Sequence, residues 1–284
     1  MPYYSLPEAQ LEAINKVEGF TTNEDYNALS VVDTLRYMAV MYVEAIASRL
    51  DISSARLCDC GGGFGWLAFA FLLRGGQHAT IVEPHAGKLQ AAREIAKILQ
   101  LADRCTFIDQ ELQSLDLEDR SVDVFACVET LEHVGKANII PAVKNIERIT
   151  KCLIVLTAPN QLSPLVAHDA KVPFSHWLPI GWRKTFCHLF GVKYEAFNHF
   201  PGPWHLRPFR ERFKPETRVL VFDTYKEWVN HYPVYSPYGG GVWKDCPPKW
   251  LGWYLWWLSK CFGKRSYVVC PNLACVWVAK EQKA

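Results

Sequence analysis

Between residues 51 and 160, short apolar runs alternate with longer segments in which apolar residues recur every three or four positions. The short runs have the length of strands and few polar residues, which is typical of strands buried on both faces of a sheet. Five strands are predicted, at Leu57–Cys60, Ala79–Glu83, Cys105–Asp109, Asp123–Glu129 and Cys152–Thr157. The amphipathic segments between them predict helices, and hence an α/β fold with a mostly parallel sheet covered on both faces.

The pattern changes on either side of this core. Helical periodicity over Val31–Leu50 predicts a helix that leads into the first strand. After Asn160 the alternation breaks, and the following hundred or so residues are rich in Pro, His, Trp and Tyr without a regular period, which favours an insertion into the core fold. Val268–Cys270 and Leu273–Ala279 are predicted as closing strands of the sheet.

Composition limits the classes of partner. The chain has 284 residues, a formal net charge of +2 and no run of Lys or Arg, so we expect no nucleic-acid partner. Its ten cysteines are scattered without CxxC pairs, which predicts reduced and mostly buried thiols. The first residues lack the basic and then apolar pattern of a secretory signal, and together these features predict a cytoplasmic protein.

The turn after the first strand is the most informative stretch for function. It reads Asp59-x-Gly61-x-Gly63-x-Gly65, and a dinucleotide fingerprint would need a third glycine where Trp66 stands. Glycines at a strand–helix turn let the backbone approach a ligand, and the helix offers free N–H groups. An acidic residue just before them suits a ligand that carries positive charge and would repel a pyrophosphate.

This turn resembles motif I of the class I methyltransferases that use S-adenosylmethionine (SAM). The segment Asp123–Val134, DVFACVETLEHV, is similar to the D-V-V-x-x-x-E-V-L-E-H-V stretch of the ubiquinone-biosynthesis-like branch, methyltransferase type 11. The resemblance covers about residues 50–160. It implies a Rossmann-like class I fold with a seven-stranded sheet, SAM as methyl donor, and S-adenosylhomocysteine as product.

The resemblance also implies which residues hold the cofactor. Asp59 and the three glycines form motif I, and Glu83 ends the second strand, where an acidic side chain accepts hydrogen bonds from the ribose hydroxyls. Asp109 and Gln110 follow the third strand, where the family contacts the adenine ring. Glu129, at the end of the fourth strand, completes the predicted set: Asp59, Gly61, Gly63, Gly65, Glu83, Asp109, Gln110 and Glu129.

Candidate catalytic residues follow strands four and five, because the acceptor enters over the carboxyl ends of the strands. Methyl transfer to oxygen needs a base to remove the hydroxyl proton, and histidine is the usual one near neutral pH. His168 with Asp169, and His176, lie in the segment that must cover the acceptor, and His133 follows strand four. Alternatively, His168 and Asp169 are a solvated pair in a loop, and His133 is a structural residue at the start of a helix.

A metal site is a second interpretation of the same region. Glu129, Glu132 and His133 resemble the E-x-x-E-H arrangement with which some relatives hold a divalent ion, with His168 as a further ligand. Many relatives with these letters use no metal, so we predict no metal ligands.

The aromatic C-terminal half offers no residue that identifies the acceptor. The stretch 247–263 contains about thirteen apolar residues, too few to span a bilayer, and is flanked by Lys and Arg. It is interpreted as peripheral membrane contact, as a helix buried on the sheet, or as a homodimer contact.

Four regions are predicted: an N-terminal helical segment that lids the cofactor site (1–50), the SAM-binding core (51–160), an acceptor-binding cap (161–266) and the closing strands (267–284). We expect an O-methyltransferase acting on a small-molecule, natural-product or glycan acceptor. Two alternatives stay open, a non-catalytic SAM-binding or scaffold protein and a methyltransferase acting on a lipid-linked acceptor at a membrane surface.

Overall fold

The strands of the computed structural model form one twisted sheet. The structure describes residues 5–20, 30–163, 172–193, 198–216, 249–268 and 272–280. Within these ranges the sheet has seven strands in the order β3-β2-β1-β4-β5-β7-β6. Their bounds are β1 Arg56–Cys60, β2 His78–Val82, β3 Cys105–Ile108, β4 Val122–Val128, β5 Thr150–Thr157, β6 Phe213–Pro215 and β7 Cys275–Ala279.

Strands β1 to β5 pair in parallel, whereas β7 runs antiparallel to β5 and β6 runs antiparallel to β7. This confirms the predicted α/β class and the mostly parallel seven-stranded sheet. All five predicted core strands are present, with ends that differ from the prediction by one or two residues.

The described helices lie before β1 and between later strands. Their bounds are α1 Glu8–Ile14, α2 Val31–Met38, α3 Glu44–Ala47, α4 Trp66–Leu73, α5 Ala86–Ile98, α6 Ile139–Ile149, α7 Ile180–Leu189, α8 Phe209–Arg212 and α9 Lys249–Phe262. The helix predicted over Val31–Leu50 is present as α2 and α3, joined by a π-helical turn at Ala39–Val43.

Two clusters of buried side chains cover the two faces of the sheet. Alternate residues of the strands point to opposite faces, so Leu57 and Val124 join one cluster while Cys58 and Phe125 join the other. The first cluster includes almost all of α4, which is apolar on every side because it is enclosed between the sheet and α2. The second cluster includes the apolar side of α6.

The edge strand β6 was not predicted. It has only three residues and ends at Pro215, and proline is tolerated at a sheet edge because no partner strand needs its N–H. Of the two closing strands predicted, the second is present as β7, whereas Val268 ends a 3₁₀-helix and 269–270 lie outside the described residues.

Candidate functional site at the carboxyl ends of the strands

The parallel pairing brings the predicted cofactor residues to one edge of the sheet. Cys60 pairs with Val82 of β2 and with Cys127 of β4, and Val82 pairs with Ile108 of β3. The residues that follow these positions, from the glycine turn to Glu83, Asp109 and Glu129, therefore lie side by side. Sequence order alone separates them by up to seventy residues.

The glycine turn requires glycine at specific positions. Gly61, Gly63 and Gly65 have φ angles of +70°, +55° and +84°. Residues that carry a Cβ rarely adopt such backbone angles. A Cβ on Gly61 would lie 2.2 Å from Oγ1 of Thr130, and a Cβ on Gly65 would lie 2.8 Å from the ring of Phe69. A Cβ on Gly63 would meet no atom within 4 Å, so this glycine borders the space above the turn.

Asp59 lies beneath this turn and is only 3% exposed. One of its carboxyl oxygens, Oδ2, accepts the backbone N–H of Ala68 at 3.2 Å. Burial raises the pKa of Asp59 to about 7, which the Ala68 N–H opposes and the negative charge of Glu83 reinforces. A positive charge bound near Asp59 and Glu83 would lower the pKa of Asp59 and so favour its ionised form.

Glu83 holds the glycine turn through its side chain. Its Oε2 accepts the N–H of Gly63 at 2.9 Å, and its Oε1 accepts the N–H of His85 at 2.9 Å. The carboxylate therefore links the end of β2 to both the glycine turn and the start of α5. Each oxygen keeps a second lone pair, so these contacts are compatible with a further bond to a hydroxyl group.

Glu129 lies next to Glu132. Burial raises the pKa of Glu129, and the neighbouring Thr157 and Glu132 side chains oppose this effect. Glu132 is almost fully buried. Two neighbouring buried carboxyl groups disfavour double ionisation, because like charges repel. The φ of Glu129 is +47°, a left-handed backbone conformation that residues other than glycine seldom adopt.

These acids make the strand ends electronegative. Besides burial, which is the largest cause, Asp59 and Glu83 raise the pKa of the Cys60 thiol, and Glu132, Asp59 and Glu129 raise the pKa of Cys127. SAM carries a sulfonium and an ammonium group, so a buried acidic edge beside an open glycine turn fits SAM and disfavours a pyrophosphate.

The N-terminal segment reaches the site. Phe20 packs edge-on against Phe64 of the glycine turn, with ring centroids 5.3 Å apart, and against Trp66.

Tyr42, from the same N-terminal segment, is buried near Glu129 and hydrogen-bonds with Tyr37 and Thr157. Burial raises the pKa of its phenol, and Tyr37 and Glu129 add to this effect. Tyr42 was not a predicted site residue, because in the sequence it looks like any other apolar position of a helix that packs on the core. That residues 1–50 lid the cofactor stays a prediction.

Asp109 and Gln110 follow β3 beside Glu83. Asp109 is exposed, and Oε1 of Gln110 accepts the backbone N–H of Asp116 at 3.0 Å. The side chain of Gln110 therefore braces its own loop. Contact with the adenine ring stays a prediction for both residues.

The predicted catalytic histidines have different surroundings. His133 is half exposed in the turn after β4, with Nδ1 3.1 Å from Oδ1 of Asn198 and Nε2 4.0 Å from Oε1 of Glu132. His176 is buried, with Nε2 3.3 Å from the carbonyl oxygen of Gln161 and its ring against Phe200. His168 and Asp169 lie outside the described residues.

Arg183 connects the surroundings of these two histidines. This buried residue of α7 donates to the carbonyl oxygens of Leu178, Asn198 and His176, at 2.9, 2.9 and 2.7 Å. The carbonyl of Asn198 belongs to the same residue whose side chain meets His133. Arg183 was missed in the sequence because a lone arginine in an aromatic stretch resembles any exposed cation.

No group of three or more metal-ligating side chains occurs in the part of the chain that the structure describes. Glu129 and Glu132 lie next to each other, and the His133 ring meets Asn198.

Comparison with known proteins supports this interpretation of the core. Residues 57–152 match the model of a family described as "Methyltransferase domain". This part of the chain, about a third of its length, is similar to a methyltransferase domain. The match includes the glycine turn, Glu83, Asp109 and the Glu129–Glu132 pair, and it ends within β5.

Two curated relatives match part of the chain. The ubiquinone/menaquinone biosynthesis C-methyltransferases UbiE from two strains of Rhodopseudomonas palustris, TIE-1 and ATCC BAA-98 / CGA009, are each 28% identical over 103 residues, which are 36% of this chain. The aligned part spans 40% of the length of each relative.

Solved structures to which the chain is similar include the PH0226 protein from Pyrococcus horikoshii OT3. It is 16% identical, with a TM-score of 0.49 over 64% of this chain and 83% of that one. Magnesium protoporphyrin IX methyltransferase (ChlM) from Synechocystis PCC 6803, with bound S-adenosylhomocysteine, is 14% identical, with a TM-score of 0.46 over 69% of this chain and 80% of that one.

Proposed function

We propose that the protein transfers the methyl group of SAM to an oxygen atom of a small-molecule, natural-product or glycan acceptor. The observation that carries the proposal is the acidic edge formed by Asp59, Glu83 and the Glu129–Glu132 pair around a glycine turn with open space at Gly63. A site of this charge selects a cationic cofactor, and SAM is the cationic cofactor of the methyltransferase domain.

When bound, SAM supplies a methyl group that is electrophilic because it is attached to a positively charged sulfur. The residues of the chain act mainly by positioning and by electrostatics. Asp59 balances positive charge beneath the turn, and Glu83 holds Gly63 in place while accepting from the ribose. Thr157 and Glu132, which are almost fully buried beside the end of β4, limit the access of water to the space next to them.

His133 is the described histidine best placed to remove the proton of the acceptor hydroxyl. With Asn198 Oδ1 as acceptor, Nδ1 of His133 carries the hydrogen and Nε2 carries the lone pair. Nε2 faces the carboxyl of Glu132 at 4.0 Å, so the imidazolium formed by proton uptake lies beside a group that favours positive charge. With SAM bound as the methyl donor, Nε2 of His133 would take up the hydroxyl proton as the acceptor oxygen is methylated.

This arrangement favours oxygen as the acceptor atom. A hydroxyl group loses its proton during transfer and gains from a base, whereas a neutral amine attacks through its own lone pair. His168 with Asp169 stays an alternative base, since both residues follow strand five in the predicted acceptor-binding cap.

The proposal is tested in two stages. Thermal shift with SAM, S-adenosylhomocysteine and NAD(P) should show stabilisation by the first two alone; stabilisation by NAD(P) alone would contradict it. Extracts fractionated by polarity are then incubated with protein and isotope-labelled SAM, and mass spectrometry locates the label. Label on carbon or nitrogen would refute oxygen transfer, and SAM binding without label in any fraction would favour the scaffold alternative.

A further inference from the structure

Helix α9 has one side packed on the core and another covered by exposed tryptophans. Leu258 is buried in the main apolar cluster, and Tyr254 packs against that cluster. On the other side, Trp253, Trp256 and Trp257 are 68%, 50% and 46% exposed. Three neighbouring tryptophans of a packed helix facing water form a larger apolar surface than single exposed residues do, and such surfaces mark interaction sites.

The exposed side forms a continuous stripe. Residues 253, 256, 257 and 260 follow the i, i+3, i+4, i+7 spacing of one helix face. Lys260, the last residue of the stripe, places its ammonium 5.9 Å from the centre of the Trp256 ring. Tryptophan with a lysine whose charged end extends past the ring is the combination found at the headgroup level of a bilayer.

The charge of the surrounding sequence is of one sign. Between Cys246 and Lys280 the chain contains no Asp or Glu, whereas it contains the five cations Lys249, Lys260, Lys264, Arg265 and Lys280. Lys260 and Arg265 are exposed. A contact between two copies through this face would bring like charges together without acids to neutralise them, so the charge favours an anionic surface over a second copy.

The length of α9 decides how it would meet a membrane. Its 14 residues extend about 21 Å, which is less than the roughly 30 Å hydrocarbon core of a bilayer. Among the helices that the structure describes, none is long and apolar enough to cross a membrane. A short helix with an aromatic, cationic face lies in the plane of the interface.

Helix α7 has a similar composition. Trp182, Leu189 and Phe190 are strongly exposed on it or directly after it, and no Asp or Glu occurs between residues 170 and 194. Lys184, His188 and Lys193 border a shallow cleft there. Exposed aromatic residues beside cations thus occur twice in the aromatic half.

We propose that the tryptophan stripe of α9 docks the protein on the surface of membranes that contain anionic lipids. The aromatic rings of Trp253, Trp256 and Trp257 enter the interface, and Lys260 and Arg265 contact the anionic headgroups. This docking does not depend on the proposed methyl transfer.

Vesicle co-sedimentation of the full chain, without SAM or acceptor, tests this proposal. The protein should sediment with vesicles of phosphatidylcholine and phosphatidylglycerol at low salt, and at least tenfold more weakly with phosphatidylcholine alone. Trp253→Ser with Trp257→Ser, and separately Lys260→Glu with Arg265→Glu, should each weaken binding to anionic vesicles at least tenfold. Lys144→Glu, which reverses an exposed lysine on α6, should leave it unchanged.

Circular dichroism and thermal melting show whether each variant is folded, and a variant that does not fold is replaced by the corresponding single substitution. Failure of the wild-type protein to bind anionic vesicles overturns the proposal. So does unchanged binding by the folded tryptophan variant. Light scattering tests whether a second copy of the chain covers the stripe instead. A wild-type dimer that becomes a monomer when Trp253 and Trp257 are replaced by Ser would assign the stripe to a dimer contact and overturn the proposal.

Discussion

Oε2 of Glu83 accepts the backbone N–H of Gly63 at 2.9 Å, so the acid that ends β2 holds the glycine turn that follows β1. Two motifs that are twenty residues apart in the chain thus form one structural unit. A substitution at Glu83 is therefore expected to affect the shape of the turn as well as any direct contact with a ligand.

Glu83→Gln tests this coupling. The amide retains one oxygen acceptor but cannot accept from both Gly63 and His85, and it loses the negative charge, so we expect SAM affinity to fall at least tenfold. Isothermal titration calorimetry measures the change. Glu94→Gln, the same substitution on the exposed side of α5, serves as the control, and equal affinities for the two variants would contradict the assignment.

Asp59 predicts a pH dependence with a definite sign. Folded Asp59 keeps its proton up to about pH 7, whereas the unfolded chain releases it near pH 4. The folded state therefore binds more protons between these values, and the free energy of unfolding should fall as pH rises from 4 to 7. Since one pKa unit corresponds to about 1.4 kcal/mol, the decline should amount to a few kcal/mol.

Asp59→Asn isolates this effect. The amide oxygen can still accept the N–H of Ala68, so the difference in free energy of unfolding between variant and wild type should grow from pH 4 to 7 and then level off. Wild-type affinity for SAM should rise over the same range as Asp59 ionises, and the variant should bind weakly at every pH. Parallel stability curves for the two proteins would disprove the assigned titration.

Gly61→Ala and Gly63→Ala form a matched pair. Both place a Cβ at positive φ, but only the first drives it into Thr130, 2.2 Å from Oγ1. Urea unfolding should show Gly61→Ala to be less stable than Gly63→Ala by about 1–3 kcal/mol, the usual cost of overpacking. Gly63→Ala should mainly weaken SAM binding, because its Cβ projects into the open space. The reverse order of stability would contradict the described turn.

His133→Ala tests the proposed base. Once an acceptor is known, kcat should fall about 100-fold or more while the Kd for SAM stays within twofold, because the histidine lies on the acceptor side. The pH profile of the wild-type enzyme should lose its acidic limb in the variant. His78→Ala is the control: its ring meets Thr106 at the opposite, amino end of the sheet, and activity should be retained. Full activity of His133→Ala would shift the assignment to His168 with Asp169.

Arg183→Ala should release the segment that carries Asn198. Three carbonyl oxygens lose a charged donor, so we expect at least about 3 kcal/mol of lost stability and faster proteolysis between residues 172 and 200. Lys184→Ala removes a neighbouring exposed cation of α7 and should change neither property. Equal proteolysis rates for the two variants would mean that Arg183 does not hold this segment.

The regular part of the fold was predictable because its signals are local. A strand buried on both faces is a run of apolar residues, and an amphipathic helix repeats every three or four positions, so β1 to β5 and α4 were recognisable in the sequence. The edge strand β6 was not, since three residues ending at Pro215 carry too short a pattern.

The candidate site divides in the same way. Asp59, the three glycines, Glu83 and Asp109 are recognisable because each stands at a strand end with a characteristic spacing. The roles of Thr130, Tyr42 and Arg183 depend on contacts between distant segments, and their immediate neighbours in the chain do not distinguish them from ordinary core or loop residues.

The sequence by itself determined the α/β class, the positions of the core strands along the chain and the acid–glycine pattern of the turn after β1, because periodicity and glycine spacing are properties of short segments. Only the tertiary structure decided that the side chain of Glu83 accepts the N–H of Gly63, that Glu129 lies next to Glu132, and that the α9 tryptophans face water. These contacts and exposures depend on which distant segments become neighbours when the sheet forms and on how much solvent the packed segments exclude.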